Sequence, residues 1–312
     1  MKPGLIFLQL ALIAFLSYTL YQKLQVRNNP SIITEEQVRP VAVEGMEHFF
    51  EPVENTTISP PGPWEEGSVI YTINSDTLNE RFNYEPENTK GTQRIVTLGD
   101  SFTYGYGIST ENNYPEVMEA LFAKNCKRKT EVINLGVFGY DTEASVARYK
   151  TRGAKYSPSL VLWLITHNDF TEIREPAGPK GRAAWAEYDR NQNAETFTNA
   201  LLTTTEEIKE IHGEEGFLDY IKEGMHKISN EYAGNLVVLA LPTLESRFKN
   251  MLQEFAGERP NTHFFDGLPD YYGEGNRLEG DGHPNKQGYT DIAESSIIII
   301  TKEGLSSIKS LI

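Results

Sequence analysis

From residue 93 onward, short continuous apolar runs alternate with longer helix-forming stretches, and this alternation constrains the fold more than any other feature. The runs fall at 95–98, 132–134, 160–166, 236–240 and 262–265, with helical segments at 114–124 and 143–155 and a helix-rich stretch over 183–232. Strands that read as unbroken apolar runs, separated by helices, form a parallel sheet covered on both faces. The pattern predicts a three-layer α/β/α, flavodoxin-like, doubly wound parallel sheet of five strands. In such sheets functional groups gather just beyond the carboxyl ends of the strands. A chain of 312 residues with 39% hydrophobic content can bury the core this requires.

The residues that follow the strands form a coherent chemical set. Strand one runs into Gly99-Asp100-Ser101 within IVTLGDSFTYGYG, and strand two leads to the block NLGVFG, 134–139. Strand three is followed by His167-Asn168-Asp169, and the last strand leads to Asp281-Gly282-His283-Pro284-Asn285. Acyl transfer needs a hydroxyl, an imidazole to take its proton, a carboxylate to orient the imidazole and donors for the developing oxyanion.

These four blocks, in this order over about 220 residues, resemble those of the SGNH, or GDSL-type, serine hydrolases. The resemblance implies the SGNH hydrolase fold and an ester-cleaving enzyme that needs no cofactor or metal. It makes Ser101 the nucleophile and its backbone N–H an oxyanion donor. Gly139 would give a second backbone donor and Asn168 a side-chain amide, with His283 as general base and Asp281 as its orienting partner. Elementary chemistry agrees with these roles. Gly99 permits a tight strand-to-helix turn, the N–H groups of a first helical turn point outward, and a glycine at 139 lets backbone approach a substrate oxygen. Residues two apart in an extended loop face one side, which brings Asp281 to the His283 imidazole.

Two departures from the family pattern stand out. The third block reads Thr166-His167-Asn168-Asp169 where G-x-N-D is usual, and the carboxylate lies two residues before His283 where D-x-x-H is frequent. Glu279 and Asp266 are alternative orienting carboxylates. The shorter D-x-H spacing resembles that of SGNH-like polysaccharide O-acetyltransferases, so transfer to a sugar stands beside hydrolysis. A Ser after Gly is otherwise a helix cap, with Asp100 itself as N-cap, and Asp169 reads as a structural acceptor. His167, Tyr104, Tyr106 and Phe138 are either pocket-lining or packing residues. A divalent-metal phosphoesterase built on Asp100, Asp169, Asp281 and His283 lacks an H-x-H or paired-carboxylate motif, and a tethered binding module would have no need of an intact Ser, Gly, Asn and His set. The absence of G-x-S-x-G disfavours an α/β-hydrolase elbow.

Three segments precede or interrupt this domain. Residues 5–21, LIFLQLALIAFLSYTLY, carry no charge, and about 20 such residues span a bilayer core of about 30 Å. Residues 1–24 are therefore expected to be a membrane anchor or signal anchor, with the body outside the cytoplasm. Ser17-Tyr18-Thr19 is a poor cleavage site. Residues 25–91, studded with prolines and holding one strand-like run at 69–73, read as an extended stalk before the 92–312 hydrolase domain. Residues 169–235 read as a helical cap-like insertion that sets specificity. The expected partner is a small-molecule, glycan or lipid ester; a formal charge of -15 without a basic cluster argues against nucleic acid. The single cysteine, Cys126, is expected to be a core thiol.

Overall fold

The computed structural model describes residues 38–60, 68–88, 91–268, 275–279 and 281–302. The expected anchor, residues 1–24, lies outside them. Among the described residues no helix is long and apolar enough to cross a membrane.

Two small antiparallel ribbons come first. Strand β1 (Val38–Pro40) pairs with β2 (Phe50–Pro52), and β3 (Thr56–Ile58) pairs with β4 (Tyr71–Ile73). The main domain then follows as β5 (Gln93–Leu98), α1 (Ser101–Tyr104), α2 (Tyr114–Asn125), β6 (Thr130–Asn134), α3 (Thr142–Arg148), β7 (Leu160–Ile165), α4 (Pro179–Asn191), α5 (Ala194–His226), β8 (Asn235–Ala240), α6 (Ser246–Glu258), β9 (Thr262–Phe265) and α7 (Lys286–Lys302). The five later strands form one parallel sheet in the order β6-β5-β7-β8-β9. Each apolar run anticipated in the sequence is one of these strands.

Period-two alternation explains why the runs are apolar throughout. Val96, Leu98, Val161, Trp163, Ile165, Leu236 and Val238 face one core, which is completed by Phe217, Ile221 and Met225 of α5 and Phe248, Leu252 and Phe255 of α6. Ile95, Leu160, Leu162, Leu164, Val237 and Leu239 face the other, completed by Met118 and Phe122 of α2 and by Tyr289, Ile292 and Ala293 of α7. Both faces are covered, so alternate residues meet different helices, and a polar strand residue such as Thr97 is hydrogen-bonded, donating to the Ile133 carbonyl. After β5 the chain steps to β6 on one side and then to β7 on the other, which opens a crevice above β5 and β7 where the strand order reverses.

The stalk expectation fails over residues 38–60 and 68–88, which lie against the α/β domain. Phe49, Phe50 and Glu51 are buried, and Leu78 belongs to the main core. Glu51 is ion-paired to Arg148 of α3 and to Arg152, and Glu80 accepts a hydrogen bond from the Asn134 N–H at 2.7 Å. Isolated apolar residues between prolines show no period, and their partners lie about 100 positions away in sequence. Of the strand-like run at 69–73, residues 71–73 form β4, and Tyr71 packs edge-on against Tyr104 with centroids 5.1 Å apart.

The 169–235 segment divides into two parts. Helix α4 packs along the first part of α5 through Ala184, Trp185, Ala200 and Leu201, whereas Phe217, Ile221 and Met225 cover the sheet. Gly213, at φ +72°, breaks α5 between these two parts. Cys126 is partly buried against the second core.

Candidate active site

Strand β5 ends at Leu98, and the chain turns at once into α1. Gly99 sits at φ +147°, and a Cβ there would stand 2.4 Å from Thr103 Oγ1 and 2.8 Å from the Leu164 carbonyl oxygen. Only glycine allows so tight a turn. Asp100 Oδ1 accepts from the Phe102 N–H at 2.9 Å and caps α1, while Oδ2 accepts from the Thr166 hydroxyl at 2.7 Å. That carboxylate therefore ties the end of β5 to the end of β7 and fixes Ser101 above them. Asp169 Oδ2 accepts from the Thr166 N–H at 2.8 Å and braces the same turn. Burial pushes both Asp100 and Asp169 above the usual carboxylate range; the Asp100 charge adds to the rise at Asp169, and the Thr166 and Phe102 donors oppose it at Asp100.

Ser101 Oγ lies 2.7 Å from His283 Nε2, and His283 Nδ1 lies 2.5 Å from Asp281 Oδ1. The same Asp281 oxygen accepts from the His283 backbone N–H at 2.8 Å, so one carboxylate holds both ring and backbone. The D-x-H spacing thus closes a two-residue turn. Burial pushes the Asp281 carboxyl up, but its bonds to His283 outweigh this and leave it below the ordinary value. Rings of Tyr106 and Phe102 flank the imidazole at 4.5 and 4.8 Å between centroids. The loop is anchored by the Leu278 N–H to the His283 carbonyl at 2.9 Å, and by Asn285 Oδ1, which accepts from the Gly288 N–H at the start of α7. Asp266 is ion-paired with Lys249 and Glu279 is exposed, so the carboxylate on His283 is Asp281.

Of the two glycines after β6, Gly136 approaches α1 closely. A Cβ on Gly136 would stand 2.4 Å from the Tyr104 backbone nitrogen, and Asn134 Oδ1 accepts from the Gly136 N–H at 2.9 Å. Gly139 sits at φ +67°, facing the Phe197 ring of α5. Among the described residues no hydrogen bond engages the N–H of Ser101 or of Gly139. The half-buried Asn168 side-chain amide lies 3.4 Å from Asp100 Oδ2. A paired hydroxyl and imidazole thus stand with uncommitted donors at the strand ends, an arrangement suited to attack on a carbonyl.

Other singled-out residues resolve differently. Tyr104 is buried and packs edge-on against Tyr71 and Phe138. His167 is exposed and enters none of the hydrogen bonds of the Ser101–His283 chain. Two residues carried no signal in the sequence. The Glu172 N–H donates to the Asn168 carbonyl at 2.8 Å, and its carboxyl is pushed up to about 7 by burial and by the Asp100 charge, with His283 and Arg174 opposing. Arg174 is fully buried beside the Gly139 turn. Neither follows a strand directly, and neither belongs to a motif.

An α/β protein with a Ser-His-Asp chain beyond the ends of its parallel strands has an arrangement also found in serine-dependent acyl-transferring enzymes. Residues 97–290 match the GDSL-like lipase/acylhydrolase family, more than half of the chain; the protein belongs to that family and is an ester-hydrolysing enzyme. No curated protein matches it. Solved structures that resemble it include the psychrotrophic esterase EstA from Pseudoalteromonas sp., 14% identical over 67% of this chain and 97% of that one, with a TM-score of 0.45. The lipase/acylhydrolase from Enterococcus faecalis is 18% identical over 68% of this chain and 95% of that one, with a TM-score of 0.41. An acetylxylan esterase from Geobacillus stearothermophilus is 12% identical over 69% of this chain and 96% of that one, with a TM-score of 0.38.

Proposed function

We propose that the protein cleaves O-acyl esters through an acyl-enzyme at Ser101, and that the natural group is an O-acetyl on a glycan or a lipid. The observation that carries this reading is the unbroken hydrogen-bonded chain from Ser101 through His283 to Asp281. Ser101 Oγ attacks the ester carbonyl as its proton passes to His283 Nε2. Asp281 holds the imidazole in the right tautomer and balances the imidazolium. The oxyanion is received by the N–H groups of Ser101 and Gly139 and by the Asn168 amide. Collapse breaks the ester C–O bond, the alcohol leaves with the proton from His283, and a water activated by His283 then releases the acid and restores Ser101.

A second reading follows from the D-x-H geometry, which resembles that of polysaccharide O-acetyltransferases: a sugar hydroxyl would take the place of water in the second half-reaction. The location proposed for either reaction is the outer face of a membrane, with residues 1–24 as the anchor. That segment is uncharged for the length of a bilayer core.

The test is hydrolysis of p-nitrophenyl acetate by the full chain beside Ser101→Ala and His283→Ala, with acceptor sugars in a parallel series. The reading predicts loss of acetate release in both variants. Acetylated sugar formed at the expense of free acetate selects transfer, and equal activity in wild type and Ser101→Ala overturns both.

A further inference from the structure

Arg174 is fully buried, yet among the described residues two of its three guanidinium nitrogens, Nε and Nη2, have no hydrogen-bond partner. Nη1 donates to the His48 carbonyl at 3.3 Å. Buried arginines ordinarily satisfy their donors, because an unpaired buried charge is costly. The guanidinium is instead held over aromatic faces, with its carbon 4.3 Å from the Phe50 ring centroid, 5.5 Å from Phe197 and 5.6 Å from Tyr140. These rings come from β2, α5 and the loop after β6. They hold the cation by its face and leave its edge open.

That edge points to the Gly139 turn: Nη2 lies 3.8 Å from the position a Cβ on Gly139 would occupy. Asp141, two residues on, accepts from the Arg174 backbone N–H at 2.9 Å, which locks the two segments in register without using the side chain. The side chain is therefore not needed to join them.

We propose that Arg174 is an electrostatic positioning residue for the ester-cleaving step, placing a desolvated positive charge behind the oxyanion site at Gly139. It acts across Gly139 and does not touch the reacting atoms. An unpaired cation costs stability in the resting enzyme and is offset when negative charge develops on the carbonyl oxygen, so it favours the transition state over the ground state. The aromatic cage keeps water from screening it. This inference rests on the reading of Ser101 and Gly139 given above.

Three proteins decide the matter: wild type, Arg174→Met and Arg174→Lys, each checked for folding by circular dichroism and thermal melting. For Arg174→Met, kcat on p-nitrophenyl acetate should fall roughly ten- to fiftyfold with KM nearly unchanged, the effect of removing one charge near the oxyanion at an effective dielectric of about 20. Binding of an aryl trifluoromethyl ketone, whose serine adduct carries the oxyanion, should weaken in parallel. Arg174→Lys keeps a cation but not the stacked guanidinium plane, and should retain more kcat than Arg174→Met. If Arg174→Met does not fold, the lysine variant still decides, because retained kcat supports a role of charge and a large loss overturns it. Unchanged kcat and unchanged ketone binding in a folded Arg174→Met refute the inference alone. A wild type without Ser101-dependent hydrolysis removes the underlying reading and this inference with it.

Discussion

Glu51 offers a quantitative test of how the N-terminal ribbons are attached. It lies on β2 with no exposed side-chain surface; Oε1 accepts from Arg148 Nη1 at 2.7 Å and from Arg152 Nε at 2.8 Å, and Oε2 from Arg152 Nη2 at 2.5 Å. Replacing it with the isosteric Gln removes the counter-charge while keeping the shape. Arg148, also fully buried, is left as an uncompensated cation, and breaking such a pair costs about 3–5 kcal/mol. The lower end applies, because Arg148 keeps its bonds to Thr77 Oγ1 and the Thr77 carbonyl at 2.8 and 2.6 Å, and Arg152 is a quarter exposed with Asp76 nearby. At roughly 2–4 °C per kcal/mol, Glu51→Gln should melt about 6–12 °C below wild type in calorimetry at neutral pH.

The pH dependence carries a definite sign. Burial pushes the Glu51 carboxyl up, but Arg152 and Arg148 outweigh it and hold the folded value below the ordinary one. Its contribution is complete above the unfolded glutamate value of about 4.3 and is lost as pH falls through the folded value. The gap in Tm should therefore be constant between about pH 6 and 8 and close below about pH 4. Glu214→Gln, which breaks the exposed pair with Arg247, should move Tm by about 1 °C or less. A change under about 2 °C for Glu51→Gln would mean that residues 38–60 are not clamped to α3, and the buried-pair reasoning would fail.

Further outcomes follow from the site. Gly136→Ala pushes a Cβ into the backbone of Thr103 and Tyr104, so α1 must shift; kcat should fall about 10²-fold with roughly 1–3 kcal/mol lost in stability, while Gly257→Ala, with open space around it, leaves kcat unchanged. Asp281→Asn keeps the turn but loses the imidazolium's counter-charge, and steady-state kinetics should show kcat lower by roughly 10²–10⁴. Glu172 binds its proton more tightly folded than unfolded, so the wild type loses stability as pH rises from about 4.3 through about 7. Melting curves should show Glu172→Gln gaining on wild type between pH 5 and pH 8, and an equal difference at both would count against the burial of that carboxyl.

The parallel sheet was legible because burial on both faces writes an unbroken apolar run, as at 160–165. Ser101, Gly139, Asn168 and His283 stood out through four ordered blocks that resemble those of the SGNH hydrolases, three of them in the loops that follow β5, β6 and β7. Glu51, Leu78 and Phe50 were not legible, since each is a single residue whose partner lies in a distant element. Arg174 and Glu172 escaped for the same reason: the packing of α5 and β2 over the Gly139 turn gives Arg174 its meaning, and the approach of Asp100 and His283 gives Glu172 its own.

The most direct measurement is intact-protein and peptide mass spectrometry after treatment with a fluorophosphonate. The account predicts one phosphonyl group on wild type, carried by Ser101, formed slowly in His283→Ala and absent from Ser101→Ala, with esterase activity lost in step. Labelling at another residue, or full esterase activity in an unlabelled Ser101→Ala protein, would contradict it.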